Sequence, residues 1–243
     1  VELVDVTDDV DAIKSVKSAE EQALIRRVAA LQDEVFSAVC AFIRPGLRDI
    51  DVTSHAQNVA QQLGSEQGIF LGASARVGVR SAFMGRHFQN RTLEAGDHLS
   101  LLIEVNGPGG FYTEIARTIC LGKASQELLD GFAAVKAAQD YNLSIIRPGV
   151  LARDIAAAHD AYMIAHGLPP EIRLHAHGQG YDMVERPLIR RDESMKIAEG
   201  MNLAVHPGFE NDAIFAVICD NYIVGPDGPG ACLHATAKQI FEL

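Results

Sequence analysis

Five short segments place ionisable side chains inside apolar runs. Leu101-Leu102-Ile103-Glu104 ends such a run in a carboxylate, and Tyr112-Thr113-Glu114-Ile115-Ala116-Arg117-Thr118 holds Glu114 and Arg117 within another. His175-Ala176-His177-Gly178-Gln179-Gly180-Tyr181-Asp182 carries two histidines on a glycine-rich turn, with Glu185 just beyond. Leu203-Ala204-Val205-His206 ends in an imidazole, and Val217-Ile218-Cys219-Asp220 in a thiol and a carboxylate. Burying any one of these groups without a partner costs about 1–3 kcal/mol. Their number implies that they satisfy one another or a ligand. Carboxylates and imidazoles together are the materials of general acid–base chemistry.

These segments are short, rich in Val, Ile, Leu, Phe and Tyr, and bounded by Gly, Pro or Asn, so they read as strands. Two helical pairs position them. The first begins at a capping box, Ser18 to Glu21, runs amphipathically to Ile43-Arg44-Pro45-Gly46, and continues in a shorter helix over about 52–63. The second covers about 126–146, ends at Ile146-Arg147-Pro148-Gly149, and continues over about 152–166. The two IRPG motifs lie about 100 residues apart, each followed by Asp-Ile and then His (Asp49-Ile50 and His55; Asp154-Ile155 and His159). The expectation is an α+β fold of two related halves, about 18–122 and 123–243, with a cleft between them. Residues 1–17 read as a linker trailing from a further N-terminal domain. Glu114 and Arg117, three apart on one strand, should face opposite ways.

The 243 residues carry 21 Lys and Arg against 32 Asp and Glu, a net charge of −11, which disfavours a nucleic-acid surface. No apolar stretch approaches the roughly 20 residues of a membrane helix. Cys40, Cys120, Cys219 and Cys232 show no CxxC spacing and read as reduced thiols, which points to the cytoplasm. HGQG lacks the companions of a phosphate-binding loop.

In order and spacing the chain resembles the pita-bread superfamily of creatinase, aminopeptidase P, prolidase and methionine aminopeptidase, a peptidase M24-like group. The segments that carry the resemblance are IKSVKSAEEQALIRR, GDHLSLLIEV, GFYTEIARTICLG, HAHGQGYDMVERP, EGMNLAVHPGF and CDNYIVGPDG. The resemblance implies the pita-bread fold, with a pseudo-two-fold, a curved antiparallel sheet and outer helices. It also implies a homodimer and a two-ion centre built from Asp, Asp, His, Glu and Glu. Carried over, those five positions are Leu102 (with Glu104 two residues on), Glu114, His177, His206 and Cys219; a further family histidine falls at Val184. Two hard cations need bridging carboxylates to offset four positive charges. No dinuclear Mn or Co centre is therefore expected. The expectation is a metal-free pocket, with a single Zn-type ion on Glu114, His177, His206 and Cys219 left open.

By the same resemblance, His87, upstream of Gly96-Asp97, falls where the superfamily has a substrate-contacting or catalytic histidine. The candidate catalytic residues are His87, His177, Glu114 and Glu185. The candidate substrate-binding residues are His206, Glu104, His175, Tyr181 and Asp182. The expected activity is creatinase-like hydrolysis of a small amide- or ureide-type C–N bond. The alternatives are a lyase on a dimethylsulfoniopropionate-like zwitterion, a metal-dependent Xaa-Pro-type aminopeptidase, and a non-catalytic binding domain.

Overall fold

In a computed structural model, which describes residues 3–243, five helices and eleven strands follow one another in two similar sets. The helices are α1 (Thr7–Ser15), α2 (Ala19–Phe42), α3 (Asp49–Gln62), α4 (Gln126–Ile145) and α5 (Ala152–Ala165). The strands of the first half are β1 (Gly68–Ala75), β2 (His98–Asn106) and β3 (Tyr112–Cys120). Those of the second are β4 (Ala176–Gly178), β5 (Glu185–Leu188), β6 (Asn202–Val205), β7 (Gly208–Glu210), β8 (Phe215–Val217), β9 (Asp220–Gly225), β10 (Gly228–Pro229) and β11 (Phe241–Glu242). No helix among the described residues is long and apolar enough to cross a membrane.

The helix ends follow from local chemistry. Ser18 Oγ accepts from the Glu21 amide while the Glu21 carboxylate accepts from the Ser18 amide, a reciprocal cap for α2. Both long helices stop before a Pro-Gly turn, with Gly46 at φ +91° and Gly149 at φ +90°, a left-handed backbone that glycine adopts without a Cβ clash. Each turn is pinned in the same way. The Gly46 amide donates to Leu93 O and the Gly149 amide to Ile197 O, and α3 and α5 are each 14 residues long. The halves thus match in their hydrogen bonding as well as in their motifs. Residues 7–15, read from sequence as linker, form α1 instead. Ion pairs from Asp8 and Asp11 to Arg186 and from Lys14 to Asp182 hold that helix against the β4–β5 region.

The first sheet has the order β1-β2-β3-β11 and the second β10-β9-β6-β4-β5, while β7 and β8 form a separate ribbon. Pairing is antiparallel except for β11 on β3. Helices α2 and α3 bury Val35, Phe36, Val39, Val52 and Ala56 in one core with the outer face of the first sheet. Ile146, Ala152, Ile155 and Ala156 do the same beneath the second. The sheets join at a bridge between Ala116 and Cys219, whose amides and carbonyls exchange hydrogen bonds of 3.3 Å. The strand alternation at this junction separates two polar systems. Glu114 faces inward, and Arg117 faces the opposite side to pair with Asp220 at 2.6 Å, both side chains fully buried.

Candidate active site

The register of β2 on β3 sets Glu104 directly opposite Glu114 and Leu102 opposite Ala116, so these side chains share one face. His177 enters from β4, His206 follows β6, and Cys219 sits at the inter-sheet bridge. Leu102, Glu104, Glu114, His177, His206 and Cys219 all line one cavity of about 250 Å³. Phe83, Val184 and Val217 supply apolar wall, and Arg173 also lines the cavity.

Glu114 Oε1 is the focus. The Cys219 thiol donates to it at 2.7 Å, His206 Nε2 lies 3.6 Å away and His177 Nε2 3.9 Å. The two imidazole separations exceed hydrogen-bond length. The His177 Nδ1 lies 2.8 Å from the Gly178 carbonyl, an acceptor only, so Nδ1 carries the proton and Nε2 turns a lone pair toward the focus. Around this, an amide network fixes the carboxyls. Asn221 Oδ1 accepts from the Glu114 amide, and Asn221 Nδ2 donates to Gln179 Oε1 at 2.9 Å. Gln179 Nε2 donates to Glu104 Oε1 at 2.9 Å.

Electrostatics divides the two carboxyls. Burial, then the charge of Glu114, pushes Glu104 up to about 9, so it keeps its proton at neutral pH. Glu114 is buried too, but His206, His177 and the Cys219 thiol outweigh that penalty and hold it below the usual range, so it is the ionised partner. Burial pulls His206 down to about 4 and pushes the Cys219 thiol well up, leaving both uncharged at neutral pH.

The other candidates lie elsewhere. His87 is exposed in a short 3₁₀ turn (Arg86–Phe88), and its loop contributes Phe83 to the cavity instead. The Glu185 carboxylate is turned away into a buried ion pair with Lys17 and also accepts from the Tyr181 amide. Tyr181 points outward to Glu21, and Asp182 is exposed and paired with Lys14. His175 stacks on His159 at 3.8 Å, away from the cavity. Three residues that sequence reasoning did not single out are Gln179, Asn221 and Arg173. Asn221 could have been found as an uncharged polar group in a strand-like run, and Gln179 as the polar residue between two glycines.

The donor set does not fit two hard ions. Of the five positions only Glu114 supplies a carboxylate, Leu102 offers no donor, and Glu104 is engaged with Gln179. Among the described residues, one ligand atom each from Glu114, His177 and His206 lie within 4.8 Å of one another. Cys219 is not in that group; its sulfur is spent on Glu114.

Comparison with known proteins agrees with this architecture. The model of metallopeptidase family M24 matches residues 23–226. An uncharacterised peptidase of Bacillus subtilis, YqhT, is 25% identical over 241 residues, 98% of this chain and 68% of that protein. A creatinase of a Bacillus species is 26% identical over 240 residues, covering 95% of this chain and 55% of that protein. The crystal structure of dipeptidase PepE from Mycobacterium ulcerans superposes with a TM-score of 0.87 at 24% identity, over 98% of this chain and 64% of that one. The chain thus spans between about half and two thirds of the length of these relatives. A family match over most of its length, together with a shared fold, assigns this chain to metallopeptidase family M24.

Proposed function

We propose that the chain hydrolyses a C–N bond in a small amide- or ureide-type substrate without a two-ion centre. One observation carries the reading. Two carboxyls sit face to face across β2 and β3 at the floor of a small, mostly apolar cavity, and two imidazoles converge on one of them. A cavity of about 250 Å³ is smaller than the roughly 300–1,000 Å³ of pockets that take drug-sized ligands, which suits a small substrate better than a peptide. The similarity to a creatinase supports the same choice.

In this reading Glu114, His177 and His206 hold the attacking water at their focus and take its proton. Its oxygen bonds to the carbonyl carbon. As the C–N bond breaks, the departing nitrogen takes the proton of Glu104. Two neighbouring carboxyls whose proton affinities are pushed apart are suited to such divided acid and base roles. Gln179 and Asn221 keep both carboxyls aimed, and Phe83, Leu102 and Val217 exclude bulk water.

The test is amine or ammonia release from a panel of small amides, ureides and N-carbamoyl compounds, run beside Xaa-Pro dipeptides. Turnover of one small-molecule class, lowered about 100-fold or more in Glu104→Gln, is the expected result. Cleavage of the dipeptides alone, or turnover indifferent to Glu104→Gln, would refute the reading.

A further inference from the structure

We propose that Arg173 sets the specificity of this site: its guanidinium takes a carboxylate of the substrate, so the chain acts on small amides or ureides that are also acids, such as N-acyl and N-carbamoyl amino acids. The proposal deepens the hydrolase reading and rests on it for turnover, but binding tests it separately. Among the described residues, Arg173 is the one Lys or Arg that lines the cavity holding Glu104, Glu114, His177 and His206. A small molecule in that cavity therefore reaches both the carboxyls and the guanidinium. The side chain's hydrogen bonding to protein runs from Nε to Glu171 Oε1, at 3.3 Å. Among the described residues both terminal nitrogens are without a protein acceptor, which leaves N–H donors in the planar fork that matches a carboxylate. The arginines of the neighbouring cleft differ, because Arg190 grips Asp192 and Arg191 grips Asp160, each through Nε and Nη2 together. Glu104 keeps its proton, so Glu114 is the one ionised carboxylate lining the cavity, and Arg173 gives an anionic group a place on a different element.

The surroundings hold the guanidinium without using its terminal donors. Its Cζ lies over the Phe215 ring, 5.5 Å from the centroid, and Phe83 from the cavity wall meets the same ring edge-on at 5.0 Å. Glu171 is the brace: Oε1 accepts from Arg173 Nε, and Oε2 accepts from the Gly208 amide at 2.8 Å. Gly208 leaves the guanidinium its space. A Cβ at that position would collide with Arg173 Nη2, the far end of a flexible side chain that can move aside. Gly208→Ala therefore displaces the guanidinium while leaving every charge in the chain. The guanidinium also stands within electrostatic reach of the acid–base groups: burial first, helped by the charges of His177 and Arg173, draws His206 down to about 4.

The experiment is isothermal titration of the full chain with N-carbamoylglycine and N-acetylglycine, each beside its uncharged carboxamide. Saturable binding that favours the acid by about 10-fold or more is expected. Arg173→Met and Gly208→Ala, two independent variants, should each bring that ratio within about two-fold, while Arg191→Met, outside the cavity, leaves it intact. Arg173→Lys should restore only part of the preference, because an ammonium keeps the charge without the fork. In turnover, Arg173→Met should raise KM with kcat nearly unchanged. Equal binding of acid and carboxamide, no saturable binding of either acid, or a preference that survives Arg173→Met would overturn the proposal. Acid-selective binding without C–N hydrolysis would leave Arg173 in this role and remove the hydrolase reading; hydrolysis indifferent to the carboxylate would do the reverse.

Discussion

Replacing Arg117 with Met should destabilise the chain by about 3–5 kcal/mol, the usual consequence of leaving one member of a buried ion pair alone. Arg117 and Asp220 are both fully buried, and the guanidinium makes five hydrogen bonds. They run to Asp220 Oδ1 at 2.6 Å and to the carbonyls of Ala116, Cys219, Thr236 and Ala237. Met fills much of the volume but supplies none of these donors, so Asp220 is left with Gln139 and His234 nearby. For a chain of this size each kcal/mol shifts Tm by roughly 2–4 °C, so a fall of about 6–20 °C is expected. Urea and thermal unfolding followed by circular dichroism, in a double-mutant cycle with Asp220→Asn, separates the pair from its surroundings. In the cycle, Asp220→Asn added to Arg117→Met should recover part of the loss, because the stranded charge is gone. Two of the carbonyls belong to the Ala116–Cys219 bridge, so Arg117→Met should also loosen the junction that carries Glu114 and lower C–N hydrolysis. A loss below about 1 kcal/mol, or strict additivity, would refute the reasoning that this pair braces the junction of the sheets.

Lys17→Met should likewise cost about 3–5 kcal/mol by stranding the Glu185 carboxylate, and Lys17→Met with Glu185→Met should restore most of it in urea unfolding; retained C–N hydrolysis in that double variant would place Glu185 outside the chemistry. Burial draws His159 from 6.5 down to about 4, so the unfolded chain binds its proton first as pH falls. Stability should therefore drop between pH 6.5 and pH 4, by up to about 3 kcal/mol from this residue, and a flat urea-unfolding profile over that window would contradict it. His87→Ala should leave turnover within about two-fold, because the ring is exposed and outside the cavity; a loss beyond ten-fold in steady-state assays would restore it as a catalytic candidate.

The sequence carried the elements whose signals are local. The Ser18–Glu21 cap, the paired Pro-Gly stops and the alternating face of β2 and β3 appear where spacing placed them, and Leu102, Glu104 and Glu114 do share one surface. What spacing could not carry is which partner a polar group finds across the fold. Glu185 sits close in sequence to His177, yet a lysine 168 residues away captures it. His175 alternates with His177 but meets His159 from α5. Helix α1 resembles a linker in sequence because it has few apolar residues and no apolar stripe; Val10 and Ile13 are exposed and its attachment is ionic. The short strands β4, β5, β10 and β11 have two to four residues, too few for periodicity to register.

Anomalous diffraction from crystals of the chain grown with zinc or with manganese, at the absorption edge of each, addresses most directly the claim that the chain holds no two-ion centre. The account predicts no pair of ions among Glu114, His177, His206 and Cys219, because Glu114 supplies the one carboxylate of that set. A pair of peaks roughly 3.5–4 Å apart and bridged by carboxylates would contradict it.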